Sequence, residues 1–198
     1  STFDQLPESH LRLTDLVLER AQRLVEQKQD VVLIVDSLTR LAKTYTTTAA
    51  QQGRSVPGMV NPTSLFRAKK LFGAARCMKE GGSLTIIAAM DVETGMKVDD
   101  TIVEEFRGTA NMQLVLDTAV AKAGVRPPFN LPQCYTKHAE QLLTKEQLEG
   151  VALTRQILGT THSATAIPQL LSMMDKVDSN VTFLSRVKDW AALMNKGR

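Results

Sequence analysis

The sequence predicts an α/β fold, a parallel sheet flanked by helices and followed by a helical carboxy-terminal segment. Three observations carry that prediction. Val31 to Val35 and the run inside "GGSLTIIAAM" are short, continuous, apolar and rich in β-branched residues, the pattern of strands buried on both faces. Helical periodicity alternates with these runs, as parallel pairing requires of the crossover segments. From Thr144 onward the pattern is helical alone, so the domains expected are 1–143 for the sheet-bearing core and 144–198 for the helical segment.

His10 to Glu26 reads as a helix, with Leu13, Leu16, Val17, Ala21, Leu24 and Val25 at three- and four-residue steps and Ser9 as its cap. Val31 to Val35 is the first strand, after which Asp36 or Ser37 caps a helix reaching Tyr45. Thr46 to Pro62 carries Gly53, Pro57, Gly58 and Pro62 and should be a loop long enough to have a task. Thr63 to Lys79 is expected to be helical, "GGSLTIIAAM" to turn and become a second strand, and "DVETGMKVDD" to be a polar loop centred on Gly95. Ile102 to Phe106 suggests a short helical turn, Met112 to Leu116 a third strand, and Arg126 to Pro132 an irregular, proline-rich stretch. Helices then fill Thr144 to Trp190, broken near Gly159–Thr161 and Asp178–Asn180. In an open parallel sheet ligands bind beyond the carboxyl ends of the strands, where Asp36 and the loop after Met90 would both emerge.

Composition sets limits. With 198 residues, 43% hydrophobic and 23% charged, the chain reads as globular. No apolar run approaches the roughly 20 residues that cross a bilayer, so no membrane partner is expected. Ser1 stands first, and no basic-then-apolar signal precedes the first amphipathic stretch. The expectation is a cytoplasmic chain, with a piece of something longer as an open reading. Cys77 and Cys134 lack CxxC spacing and read as free thiols, and His10, His138 and His162 form no metal-ligand grouping. Net charge is only +3, yet Arg54, Arg67, Lys69, Lys70, Arg76 and Lys79 occur with no acid before Glu80. Such an excess suits either a phosphate-facing groove or a solvated helix face, and charge alone favours the latter.

An apolar strand ending in Asp36 suits a nucleotide site, because a rigid strand holds the carboxylate where it can orient a magnesium-bound water. A helix cap explains the same residue. A GxxxxGK[ST] loop would decide between them, and none of the glycines here begins one.

The stretches "STFD", "DSLTRLAKTY", "FGAARCMKEGGSLTIIA" and "TGMKVDDTIVEEFRGTANMQL", spread over residues 1–117, resemble the carboxy-terminal part of the ATPase domain of the transcription termination factor Rho family. "LLTKEQLEGVALTRQIL" is similar to that family's terminal helical segment. Rotary and secretion ATPases share a "DSLTR"-like stretch, but "EEFRGTANM" points to Rho. The resemblance implies a RecA-like sheet, incomplete here at its amino-terminal end, because the family's P-loop and catalytic glutamate lie upstream of the segment Ser1 matches. It implies a homo-hexameric, RNA-dependent ATPase and helicase that moves along RNA and releases it from RNA polymerase, with ATP and Mg as cofactors. Neither cofactor is expected to bind tightly to this chain alone. Asp36 would be the Walker B acid, reaching Mg through a bound water, and Arg40 a nearby site arginine. Residues 49–61, with Gly53, Arg54 and Gly58, would form one RNA-contacting loop, and Glu93 to Lys97, with Thr94, Gly95 and Lys97, the other. Glycine-bearing loops with one cation each can grip phosphates and 2′-hydroxyls without reading sequence.

The pattern breaks at the nucleotide's other wall. Gly124 stands where the family has a nucleotide-sensing arginine, and Arg126 where an aromatic ring packs on adenine. The finger arginine falls at Lys137 or His138, depending on a one-residue insertion. Lysine lacks the planar fork of arginine, so hydrolysis is expected to be weakened even in the intact protein. Two functions are carried forward: part of an RNA-stimulated translocase in transcription termination, and a non-catalytic RNA-binding or assembly module derived from Rho. The expectation is that the chain is either a fragment of a longer protein or a shortened relative.

Overall fold

Proline at the first helical position needs no hydrogen-bond acceptor and already has helical φ, which fixes where the chain first coils. In the computed structural model, which describes residues 2, 4–51, 60, 62–159 and 161–196, α1 accordingly runs Pro7–Glu26. Leu6 takes the extended cap position without a side-chain bond, so Ser9 lies inside the first turn instead of capping it. Leu18, Ala21 and Val25 form its inward stripe.

Packing divides the chain into two units, Ser1–Thr109 and Ala110–Arg198, a division different in kind from the one by sequence pattern at residue 143. In the first unit β1 (Asp30–Val35) is followed by α2 (Leu38–Gln51), a 3₁₀ turn at Pro62–Leu65, α3 (Phe66–Phe72), β2 (Arg76–Cys77), β3 (Ser83–Ala88) and α4 (Lys97–Arg107). β1 and β3 pair in parallel, from Asp30 opposite Ser83 to Val35 opposite Ala88. The sheet order is β1-β3-β2, with β2 antiparallel to β3. Val31, Leu33 and Val35 with Leu84 and Ile86 face α1 and bury Leu18, Ala21, Val25, Leu71 and Ala74. A second cluster joins α2, α3 and α4 through Leu38, Ala42, Tyr45, Leu65, Ala68, Ile102 and Phe106, where Phe72 meets Phe106 edge to face.

Four further expectations change in this unit. The strands are covered on one face only: Val32, Ile34 and Ile87 are 61%, 72% and 53% exposed, since no described element lies over them. The second helix does not stop at Tyr45 but continues through Gln51, and within it Thr44 Oγ1 donates to Arg40 O and Thr46 Oγ1 to Ala42 O. The third ends at Phe72 instead of Lys79, because Arg76 and Cys77 are drawn into pairing with Leu84 and Ser83. The intervening turn needs glycine. Gly82 has φ +88°, and a Cβ there would come within 2.6 Å of Val25 O. Finally, the expected turn at Ile102–Phe106 belongs to the eleven-residue α4, whose inward stripe is Asp99, Ile102 and Phe106.

In the second unit β4 (Met112–Gln113) pairs antiparallel with β5 (Tyr135–Thr136), so the expected third strand is a short piece of a separate ribbon. The short α5 (Thr118–Lys122) is capped by Asp117, whose Oδ1 accepts from the amides of Ala119 and Val120. The helices α6 (Lys145–Leu158), α7 (Ser163–Met174) and α8 (Asn180–Lys196) break where the sequence predicts. A reciprocal Thr144–Gln147 capping box starts α6, and Gly150 lets α8 approach, since a Cβ there would sit 2.8 Å from Leu184 O. No described helix is long and apolar enough to cross a membrane.

Candidate functional site

Parallel pairing sends the chain out of β1 and β3 at the same end of the sheet, because Val35 stands opposite Ala88. Asp36 follows β1 directly, is exposed, and joins Ser37 through a cis peptide bond. Ser37 is buried. Of the two caps expected for α2, Ser37 serves: its Oγ accepts from the amide of Arg40 at 3.3 Å. That hydroxyl also donates to Asp91 Oδ2 at 3.3 Å, while the Asp91 amide donates to Thr39 Oγ1 at 2.9 Å. With the Leu38 amide on Ala89 O at 2.8 Å and the Ala89 amide on Val35 O at 2.9 Å, the exit of β3 is laced to the start of α2. Arg40 lies exposed on the first turn of α2.

Beyond Asp91 the chain makes the glycine-bearing loop. Glu93 has φ +55° and Gly95 φ +77°, and nothing lies within 4 Å of the place a Gly95 Cβ would take. Lys97, expected to lie in this loop, is instead the first residue of α4, because Thr94 closes the loop early. Thr94 Oγ1 accepts from the Met96 amide at 3.3 Å and donates to Asp99 Oδ2 at 2.7 Å. Asp99 is 1% exposed, and Lys43 of α2 places its ammonium 2.6 Å from Oδ1. Burial alone would push this carboxyl up. The hydrogen bonds from Lys43 and Thr94 and the charge of Lys43 outweigh it, so the pKa is held below the ordinary aspartate value. Lys97 itself is exposed and makes no ion pair among the described residues.

The structure thus brings Asp36, Thr94, Gly95 and Lys97 to one end of the sheet. Gly53, Arg54 and Gly58 lie outside the described residues. Arg126 and Lys137 belong to the second unit. There Arg126 Nη1 donates to Ala121 O and Val125 O, both at 2.9 Å, closing the end of α5. Lys137 is exposed and its amide donates to Asn111 O, while His138 Nδ1 sits 3.1 Å from Glu140 Oε1. Gly124 has φ +79°.

Among the described residues no three His, Cys, Asp or Glu gather as a metal cage. That does not disfavour magnesium, which is commonly held by one or two carboxylates with waters and substrate phosphates. Exposed Asp36, with Asp91 joined to it through Ser37, fits such partial ligation.

Sequence reasoning missed Thr39, Lys43, Asp91 and Asp99. Asp99 was legible in principle. It falls in step with Ile102 and Phe106, and an acid on the apolar stripe of a helix calls for a buried partner.

The ATP synthase alpha/beta family, nucleotide-binding domain, matches residues 1–136. The chain is 41% identical to transcription termination factor Rho of Pseudomonas aeruginosa over 188 residues, which is 95% of this chain and 45% of that protein. It is 42% identical to Rho of Bacillus subtilis over 92% of this chain and 42% of that one. The chain therefore spans under half the length of these relatives. Among solved structures, a prototypical ATPase from the type III secretion system of pathogenic bacteria superposes with a TM-score of 0.74 at 21% identity, over 96% of this chain and 54% of that one. The assembled ATPase EscN of enteropathogenic E. coli does so with a TM-score of 0.77 at 18% identity, over 96% and 52%. At such identities the likeness is one of fold, the RecA-like arrangement of parallel strands and flanking helices.

Proposed function

The chain belongs to the ATP synthase alpha/beta family and is Rho-like along nearly its whole length, and from that premise we propose that it is part of an RNA-dependent ATPase that moves along RNA in transcription termination. One observation carries the reading. The parallel β1–β3 register puts Asp36 and the Thr94–Lys97 segment off the same end of the sheet, joined through Ser37, Asp91 and Thr39. A site built this way has its nucleotide-facing acid and its RNA-facing cation on adjoining rigid elements.

In this reading Asp36 orients a water of the magnesium shell, with Arg40 one turn into α2. The metal, when bound with ATP, supplies charge neutralisation at the phosphates. Thr94 and Asp99 fix the loop so that Lys97 meets an RNA phosphate, and Gly95 lets the backbone approach closely. Gly53, Arg54 and Gly58 form the companion RNA loop. The working form is a hexamer in the cytoplasm, with a neighbouring subunit offering Arg126 and Lys137 to the nucleotide and RNA polymerase met only through the transcript. Arg126 already serves two carbonyls, and Lys137 cannot make a planar fork, which supports slow hydrolysis. This 198-residue chain holds no GxxxxGK[ST] loop and is expected to turn over no ATP by itself.

The test is RNA affinity as a function of salt. Lys97→Ala and Arg54→Ala should each flatten the slope of log affinity against log salt by about one. An unchanged slope in both variants removes the RNA-loop assignment. Steady ATP turnover by this chain alone removes the nucleotide assignment.

A further inference from the structure

We propose that the outward ridge of α3, Phe66 with Lys70, is a stacking site for a base of single-stranded nucleic acid. The proposal rests on the RNA-binding reading above and names a contact outside both loops assigned there.

The observation is an exposed ring in a basic setting. Among the phenylalanines whose side chains are described, Phe72, Phe106, Phe129 and Phe183 are buried or half-buried, whereas Phe66 is 67% exposed. A single exposed apolar side chain is ordinary by itself. What distinguishes this one is how "FRAKKLF" distributes its residues around the helix. Leu65, Ala68 and Leu71 point into the core. Arg67 turns toward α1, with Nη1 3.6 Å from Asp15, and Lys69 turns toward α4, where it pairs with Glu105. Each flanking cation therefore has an acid. Phe66 and Lys70, four residues apart and so on one face, are left on the crest between them. Lys70 is exposed and has no ion pair among the described residues.

A flat apolar ring beside an uncompensated ammonium matches one ligand class well: a strand whose bases have exposed faces and whose backbone carries a charge per nucleotide. A duplex offers no free base face. An acidic peptide satisfies Lys70 but gives Phe66 no stacking partner.

The decisive experiment titrates a fluorescent oligouridylate into the 198-residue chain and its Phe66→Leu, Phe66→Tyr, Lys70→Ala and Lys97→Ala variants, with thermal melts as the folding control. Phe66→Leu keeps apolar bulk and removes the ring. It should weaken binding about ten-fold, while Phe66→Tyr restores wild-type affinity. Lys70→Ala should flatten the salt slope by about one. Phe66→Leu binding like wild type overturns the stacking site, whatever Lys97→Ala does. A Phe66→Leu loss with an unaffected Lys97→Ala upholds the stacking site and discards the loop assignment. No RNA binding by the wild-type chain overturns both. Poly-glutamate that binds as well as RNA, with the same dependence on Phe66, also overturns the proposal.

Discussion

The two faces of the β1–β3 sheet are built from the same kinds of residue and have opposite surroundings. Val31, Leu33, Val35, Leu84 and Ile86 lie beneath α1 and its neighbours, whereas Val32, Ile34 and Ile87, alternating with them, stand largely in the open. Composition cannot explain the difference, because both faces are β-branched and apolar. A strand sequence records which side chains tolerate burial, and the fold decides which are covered.

Substitution should break this symmetry most on the covered face. Leu84→Ala removes a side chain 4% exposed and should cost about 2–5 kcal/mol, read as a lower urea midpoint at constant slope. The polar counterpart is smaller. Lys43→Ala strips the ammonium from buried Asp99 and should cost about 2–3 kcal/mol. The same pair gives an acid limb to stability. The Asp99 pKa is lowered in the folded chain, so its contribution is complete above the unfolded value of 3.8. It is lost as pH falls below that value toward the folded one. Lys43→Ala should shrink this limb, which stability measured across the acid range will show.

Tyr45 sharpens the comparison at the alkaline end. Burial, helped by Asp15, raises its phenol to about 12, and its hydroxyl has no hydrogen-bond partner among the described residues. Stability should therefore fall as pH rises from the ordinary phenol value of 10.0 toward about 12, and Tyr45→Phe should remove that fall. The smallest effect belongs to the bare face. Ile34→Lys should change stability by no more than about 0.5 kcal/mol while lowering concentration-dependent association, measured by sedimentation. A loss as large as that of Leu84→Ala would mean the face is covered after all.

Much of this was legible in the sequence, for reasons specific to each element. The β-branched run ending at Asp36 located β1, because a short apolar run closed by an acid and a hydroxyl cap marks where a strand gives way to a helix, although the run alone left Asp36 open between site acid and cap. The Thr144–Gln147 box and Gly159 bounded α6 through local chemistry alone. What stayed hidden depended on distant partners. Arg76 and Cys77 continue a helical pattern, but Leu84 and Ser83 capture them as a strand. The second helix outlasts the polar run "TTTAAQ" partly because Thr46 finds Ala42 O and Ser64. Asp99 looked like one of several loop acids around Lys97, and only the fold shows it sealed against Lys43.

The account stands on β1 and β3 running the same way, which brings Asp36 and the Thr94–Lys97 segment to one end. Cross-strand cysteine pairs on the bare face, in a background with Cys77 and Cys134 replaced by serine, read that directly, since a disulfide needs Cα atoms roughly 4.4–6.8 Å apart. Parallel register predicts efficient oxidation of Val32→Cys with Thr85→Cys and of Ile34→Cys with Ile87→Cys. Efficient linkage of Val32→Cys with Ile87→Cys and of Ile34→Cys with Thr85→Cys, and not of the first two pairs, would mean antiparallel strands and contradict the account.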